Sequence, residues 1–235
     1  MAKKVNIKGT IVSSDEQWIY SWFGIETTSP KSVNKEIANA NGEDLEVDIN
    51  SGGGDVFAGS EIYTTLKSYK GNVTIRIVGL AASAASVIAM AGNKVLMSPT
   101  AQMMIHNVSS RTSGDYRAME HTAGILKNAN ETIANAYRLK SGMSQEELLE
   151  MMNKETWLTP EQALNYKLID EVMFENEVKL VASFNQSQIL PQEVIEKIRN
   201  TIKNPLNSKG NETDIFMQQK AKAQLNLLKL KGGIF

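Results

Sequence analysis

Cysteine is absent from all 235 residues, which removes disulfides, thiol catalysis and thiolate metal sites together. Histidine is scarce: only His106 and His121 occur, with no His-Glu-x-x-His run, so no metal centre is expected. Neither sign of charge dominates. Lys and Arg number 25 against 26 Asp and Glu, a formal net charge of −1 that leaves no basic field to draw nucleic acid or anionic lipid. Long hydrophobic runs are missing too. The longest, residues 79–92, is interrupted by Ser83 and Ser86 and is too short to cross a bilayer. The opening MAKKVNIKG carries lysines without the apolar core of a signal peptide, and no Gly-x-x-x-x-Gly-Lys-Ser/Thr pattern supplies an ATPase. The expectation is a soluble, cytoplasmic protein with no cofactor, no metal, no nucleic-acid partner and no membrane partner.

What is present suits a packed globule. Hydrophobic residues make up 42% of the chain, and its length allows one large domain with an appendage or two small ones. Strands are expected at 5–12 and 17–25, with residues 13–16 as the turn between them. Ser29-Pro30 then opens a helix that Asn41-Gly42 ends. A strand at 45–50 leads into a Gly-rich loop and a helix at about 56–68. The next strand, 73–78, breaks at Gly79 before an Ala-rich helix at 83–91, and strands follow at 94–97 and 102–106. A long helix spans 113–142, Ser144 caps a shorter one, Thr159-Pro160 opens another, and 167–172 form a closing loop and strand. Alternating strands and helices, with strands too apolar to be wet on one face, give an α/β class with a mostly parallel sheet covered by helices.

Beyond residue 184 the character changes. A helix at 191–203 leads to a polar linker near 204–214 and then to a last helix. That helix sets Met217, Ala221, Leu225 and Leu228 at helical spacing against Lys220, Lys222, Lys229 and Lys231. The expected division is a domain over 1–184 and a helical extension over 185–235.

The chemistry concentrates in INSGGGDVFAG at 49–59 and VTIRIVGLAASAASVIAMAG at 73–92. Ser83 sits where a strand runs into a helix, beside backbone N–H groups without intrahelical partners and at the positive end of the helix dipole. A developing oxyanion would be stabilised there. The Gly-rich loop can bring its own N–H groups to the same point. His106 closes the apolar run AQMMIHN, whereas His121 lies among Glu120, Arg117 and Lys127 and reads as a surface residue. The bland alternatives are a structural strand-end histidine and a serine that merely caps a helix. Ser86, one turn beyond Ser83, shows that a serine in this helix need not be catalytic.

In order along the chain come Asn50-Ser51-Gly52-Gly53-Gly54, Gly79-Leu80-Ala81-Ala82-Ser83 and Met104-Ile105-His106. Then come Trp157-Leu158-Thr159-Pro160-Glu161-Gln162-Ala163 and Tyr166-Lys167-Leu168-Ile169-Asp170. As a set, over roughly residues 5–174, these motifs resemble the Clp protease proteolytic subunit (ClpP) family. The resemblance implies a ClpP/crotonase-type fold with a protruding handle helix at 113–141 and serine peptidase activity through an acyl-enzyme. By residue-wise carry-over, Ser83 is the nucleophile, His106 the general base, and the backbone N–H groups of Gly54 and Ala84 the oxyanion hole. It also implies polypeptide substrates and a homo-oligomeric ring, seven-fold in the family and stacked in pairs.

The chain departs from the family at several places. Glu155 stands where the family has its catalytic aspartate, and it is the expected orienting acid; Asp115, Glu120 or a bare dyad are the alternatives. Gly52 replaces a proline, which loosens the loop. Lys154 replaces an arginine used between rings. The first strand begins near Val5, leaving little chain for the axial loops at which an ATP-driven unfoldase docks. The short N-terminus, the Glu155-Thr156-Trp157 variant and the C-terminal extension resemble the ClpP-related head maturation proteases of tailed phages and prophages, which process capsid and scaffold proteins in the prohead. The rival functions are a general ClpP-type subunit working with a separate unfoldase, and a catalytically silent ring-forming scaffold. A crotonase-type hydratase acting on coenzyme A thioesters is a further rival, against which Ser83 and His106 count.

Overall fold

Period-two runs of β-branched residues build the sheet. The computed structural model describes residues 2–174. The chain divides into two units, Met1–Val178 and Lys179–Phe235, and the described residues all lie in the first. The expected 184/185 boundary, the linker near 204–214 and the C-terminal helices lie outside the described residues.

The elements in order are β1 (Lys3–Ile11), α1 (Gln17–Trp22), β2 (Thr27–Thr28), α2 (Pro30–Ala38), β3 (Leu45–Gly54) and α3 (Val56–Lys67). They continue as β4 (Val73–Ala82), α4 (Ala84–Ala89), β5 (Lys94–Met97), β6 (Gln102–Ile105) and α5 (Tyr116–Ser141). Last come α6 (Gln145–Asn153), β7 (Thr156–Leu158), α7 (Pro160–Asn165) and β8 (Glu171–Val172). The sheet runs β2-β1-β3-β4-β5-β8, parallel throughout, and β6 pairs both with β4 and, antiparallel, with β7. This is the expected mostly parallel α/β arrangement.

One face of the sheet is the core. Val5, Ile7, Val47, Ile49, Ile75, Ile77 and Val95 are wholly buried beneath the helices, together with Ile62, Ile88 and Leu148. The opposite face is polar within residues 2–174, against the expectation of strands apolar on both sides. There Asp48 is buried and takes Lys4 Nζ at 2.8 Å and Arg76 Nε at 3.1 Å, while Arg76 also meets Glu46 at 3.0 Å. Paired opposite charges offset the cost of desolvating that carboxylate.

Helix starts follow the local chemistry. Ser29 caps α2 in a reciprocal box with Ser32, and Thr159 caps α7 in the same way with Gln162. Asp55 caps α3, Asp115 caps α5 and Ser144 caps α6. Gly142 ends α5 in the left-handed conformation at φ 76°.

Two further expectations need correction. Residues 17–22 form α1, not a strand, and none of its residues is buried. The aromatics there suit a strand only where a sheet edge is open to them. Here the chain turns at Gly24 (φ 70°), and Thr27–Thr28 take the edge of β1 instead. Second, β4 does not break at Gly79 but continues to Ala82. Gly79 lies where β4 leaves β5 and joins β6, between the Ile77↔Met97 and Leu80↔Gln102 pairs. A Cβ at Gly79 would lie 2.5 Å from Asn50 Oδ1, the atom that accepts the Leu80 N–H at 3.1 Å. Glycine serves there for close approach.

Candidate active site

Parallel pairing sets the distance between the candidate nucleophile and base. Ala82 pairs with Met104, and the Ser83 N–H continues the ladder onto the Met104 carbonyl at 3.0 Å. His106 follows the last residue of β6. Both side chains therefore emerge from adjacent strand ends, and His106 Nε2 lies 2.8 Å from Ser83 Oγ. With Nε2 unprotonated, the serine hydroxyl donates to it.

Ser83 stands at the cap position of α4, but its side chain makes no capping bond, so the bland reading does not describe this residue. Its backbone is held at φ 56°, ψ −127°, a conformation that L-residues seldom adopt. Such a residue costs on the order of 1–3 kcal/mol and persists only where its surroundings over-determine it. The sharp strand-to-helix turn aims Oγ at His106 and away from the helix's own N–H groups.

The Gly-rich segment is the end of β3, lying alongside β1 through Thr10↔Gly53 and Ile11↔Gly54. Ser51 Oγ donates to the Gly9 carbonyl at 2.6 Å and accepts the Gly53 N–H at 3.0 Å. Gly53 (φ 89°) presses on the nucleophile turn: a Cβ there would lie 2.6 Å from the Ala82 carbonyl oxygen and 2.7 Å from Ser83 Cβ. Gly54 and Ala84 line one cavity of about 540 Å³ with Ser83 and His106. Its wall is otherwise mostly apolar, including Val87, Met104, Leu126 and Ile133.

Glu155 is brought near but not joined. β7 pairs antiparallel with β6 through Ile105↔Thr156, so one step further along the two strands stand His106 and Glu155. Glu155 has φ 48° and is exposed, and its Oε1 accepts the Trp157 indole N–H at 3.3 Å. Among the described residues, His106 has no carboxylate hydrogen-bonded to its ring. Asp115 caps α5 through the Ala118 N–H and pairs with Arg117, and Glu120 is an exposed residue of α5. His121 lies on the same helix and is exposed, as the sequence reading expects of a surface residue. Beside the site, Asn107 Nδ2 donates to Asn153 Oδ1 at 2.7 Å, tying the end of β6 to the end of α6.

Sequence reasoning missed the pair beneath the nucleophile. Ser86 and Tyr137 are both buried, with their hydroxyl oxygens 2.7 Å apart. The only signal was a serine one helical turn after Ser83. Among the described residues no group of three or more His, Asp or Glu could hold a metal ion, and no helix is long and apolar enough to cross a membrane.

Comparison with known proteins bears on the family. An ATP-dependent Clp protease proteolytic subunit of Deinococcus radiodurans is 35% identical over 133 residues, 56% of this chain and 65% of the relative. Its namesake in Bacteroides fragilis is 32% identical over 136 residues, 57% of this chain and 66% of the relative. That of Mesostigma viride is 35% identical over 127 residues, 53% of this chain and 56% of the relative. In each case the matching stretch spans just under two thirds of the relative's length or less. The profile of the Clp protease family matches residues 30–176, more than half of the chain and all of the elements that carry Ser83, His106 and Glu155, and the chain belongs to that family.

Proposed function

We propose that the chain is a serine endopeptidase in which Ser83 attacks the peptide carbonyl and His106 is the general base. The observation that carries this reading is the 2.8 Å hydrogen bond between Ser83 Oγ and His106 Nε2 at a strained strand-to-helix turn. His106 takes the Ser83 proton as Oγ bonds to the carbonyl carbon, and returns it to the leaving amine as the C–N bond breaks. Water then enters by the same base and releases the acyl group from Ser83. The N–H groups of Gly54 and Ala84 receive the oxyanion. The Gly53 N–H is engaged by Ser51 Oγ, and Gly54 is the segment's donor by the resemblance. Loss of one such donor costs on the order of 100- to 1,000-fold in rate.

Glu155 is the orienting acid in this reading. It must leave the Trp157 indole and turn toward His106 Nδ1, where its charge would stabilise the imidazolium. Substrates are polypeptides, entering the apolar cavity beside Ser83, and the working form is a ring of copies, stacked in pairs, in the cytoplasm or the assembling prohead.

The narrower reading is that these polypeptides are capsid and scaffold proteins cleaved during head maturation. It rests on the Glu155-Thr156-Trp157 variant and on the resemblance stated above. The second reading, a general proteolytic subunit fed by an ATP-driven unfoldase, is favoured by the names of the relatives.

Labelling with a fluorophosphonate, wild type against Ser83→Ala, tests the chemistry. One adduct on Ser83, absent from the variant, is the expected result. No adduct on a folded wild-type protein would instead favour a silent scaffold. Digestion of folded capsid and scaffold proteins without any ATPase separates the two substrate readings.

A further inference from the structure

The hydroxyls of Ser86 and Tyr137 lie under the nucleophile and take no part in the proton transfers above. Ser86 is 0% exposed and Tyr137 is 1% exposed. Ser86 Oγ donates to the Ser83 carbonyl at 2.7 Å, which uses its one proton. Tyr137 Oη, 2.7 Å away, must therefore be the donor to Ser86 Oγ. The bonds run in one direction, from Tyr137 on α5 through Ser86 on α4 to the peptide carbonyl of Ser83. Burial pushes the Tyr137 phenol far above its ordinary value, so it remains a donor wherever an imidazole base operates.

That carbonyl is a sensitive place to pull. The Ser86 and Val87 N–H groups also donate to it, at 2.9 and 3.3 Å, and the Ser83 N–H is fixed on Met104. The Ser83 peptide is thus clamped from β6 on one side and from α4 and α5 on the other. A residue at φ 56° relaxes once its surroundings stop holding it, and relaxation rotates Oγ away from His106 Nε2.

We propose that Ser86 and Tyr137 are positioning residues that act as one relay, holding the strained Ser83 backbone so that its hydroxyl stays within reach of His106. This rests on the reading of Ser83 as the nucleophile. The relay also couples α5 to the nucleophile, because it joins Tyr137 on α5 to Ser86 on α4. Tyr137 further lines the cavity beside Ser83, so a role in pocket shape is the competing explanation.

The test is the rate of Ser83 modification in the full-length protein, for wild type, Ser86→Ala, Tyr137→Phe and the double variant. Two alkyl fluorophosphonates are used, one with a short and one with a long chain. Each substitution removes a single oxygen, and circular dichroism with thermal melting verifies the fold. Tyr137→Phe is expected to slow the maximal inactivation rate roughly two- to tenfold, the worth of one hydrogen bond. Ser86→Ala is expected to slow it about 10- to 100-fold, the scale of a misplaced reacting group. The half-saturating probe concentration should not change, and the slowing should be the same for both chain lengths. The double variant should be no slower than Ser86→Ala, because that change already disconnects Tyr137. Unchanged rates in folded variants would overturn the relay, as would a loss that depends on chain length or adds in the double variant. A wild type that takes no adduct on Ser83 would overturn the proposed nucleophile itself, and the relay with it.

Discussion

Glu155 accepts the Trp157 indole N–H at 3.3 Å, although Thr156 between them pairs with Ile105, the residue before His106. Glu155 therefore stands across from the base, just before β7, while its carboxylate is bonded to a ring within that strand. An exposed hydrogen bond of this length is weak, worth roughly 0.5–1.5 kcal/mol, so a small change in partners redirects it.

Replacing Trp157 by Phe removes the competing donor and keeps the ring. If Glu155 is the orienting acid, Ser83 acylation in Trp157→Phe should rise about two- to tenfold, the equivalent of one such bond. Glu155→Gln should leave reduced but measurable activity. Peptide hydrolysis by the two variants checks both expectations, and an undiminished rate in Glu155→Gln would move the acid role to another residue.

Strain at Ser83 sets activity against stability. Ser83→Ala keeps a Cβ at φ 56°, whereas Ser83→Gly removes it. Both variants should lack hydrolysis. Ser83→Gly should nevertheless be the more stable of the two, by about 1 kcal/mol, since relief of strain exceeds the entropy that glycine adds to the unfolded chain. Denaturant midpoints of the pair measure the difference directly.

Ser83 and His106 were legible as a pair through the resemblance carried by Gly79-Leu80-Ala81-Ala82-Ser83 and Met104-Ile105-His106 in order. The residues alone left a capping serine and a structural histidine open, and the adjacent strand ends bring the two side chains together. The caps at Ser29, Ser144 and Thr159 were legible because each rests on local hydrogen bonding. What escaped depended on distant partners. Residues 17–22 could not reveal that the β1 edge belonged to Thr27–Thr28. Gly79 read as a break because nothing nearby in sequence announces the Asn50 side chain against it. The Ser86–Tyr137 contact joins residues on α4 and α5, and only packing brings them together.

The two neighbouring glycines should respond in opposite ways. A Cβ at Gly53 collides with the Ala82 carbonyl and Ser83, and the φ of 89° disfavours any side chain. Gly53→Ala should thus displace the nucleophile turn, with activity falling at least 100-fold, the cost of about 1 Å of misplacement. At Gly52 a Cβ meets nothing within 4 Å and φ lies outside the left-handed region. Gly52→Ala should keep activity and stabilise by roughly 0.4–1 kcal/mol through the unfolded chain. Melting curves and peptide hydrolysis of both variants separate the loop's geometric requirement from its flexibility.

Tyr137 gives the fold an alkaline limit whose sign can be worked out. Its pKa is raised from the ordinary 10.0, first because burial penalises the phenolate and against the smaller opposing effect of Ser86. Below pH 10 the phenol is protonated in both states and has no linkage to folding. Above it the unfolded chain loses that proton while the folded chain keeps it, so the unfolded state binds fewer protons and stability falls as pH rises. One such group contributes a slope of up to about 1.4 kcal/mol per pH unit. Other tyrosines and lysines titrate in the same range, so the difference between wild type and Tyr137→Phe isolates this one. Urea unfolding at pH 8 to 11 should show wild type losing stability relative to Tyr137→Phe only above pH 10. Parallel curves across the whole range would mean that the phenol ionises in the folded protein as readily as in the unfolded chain.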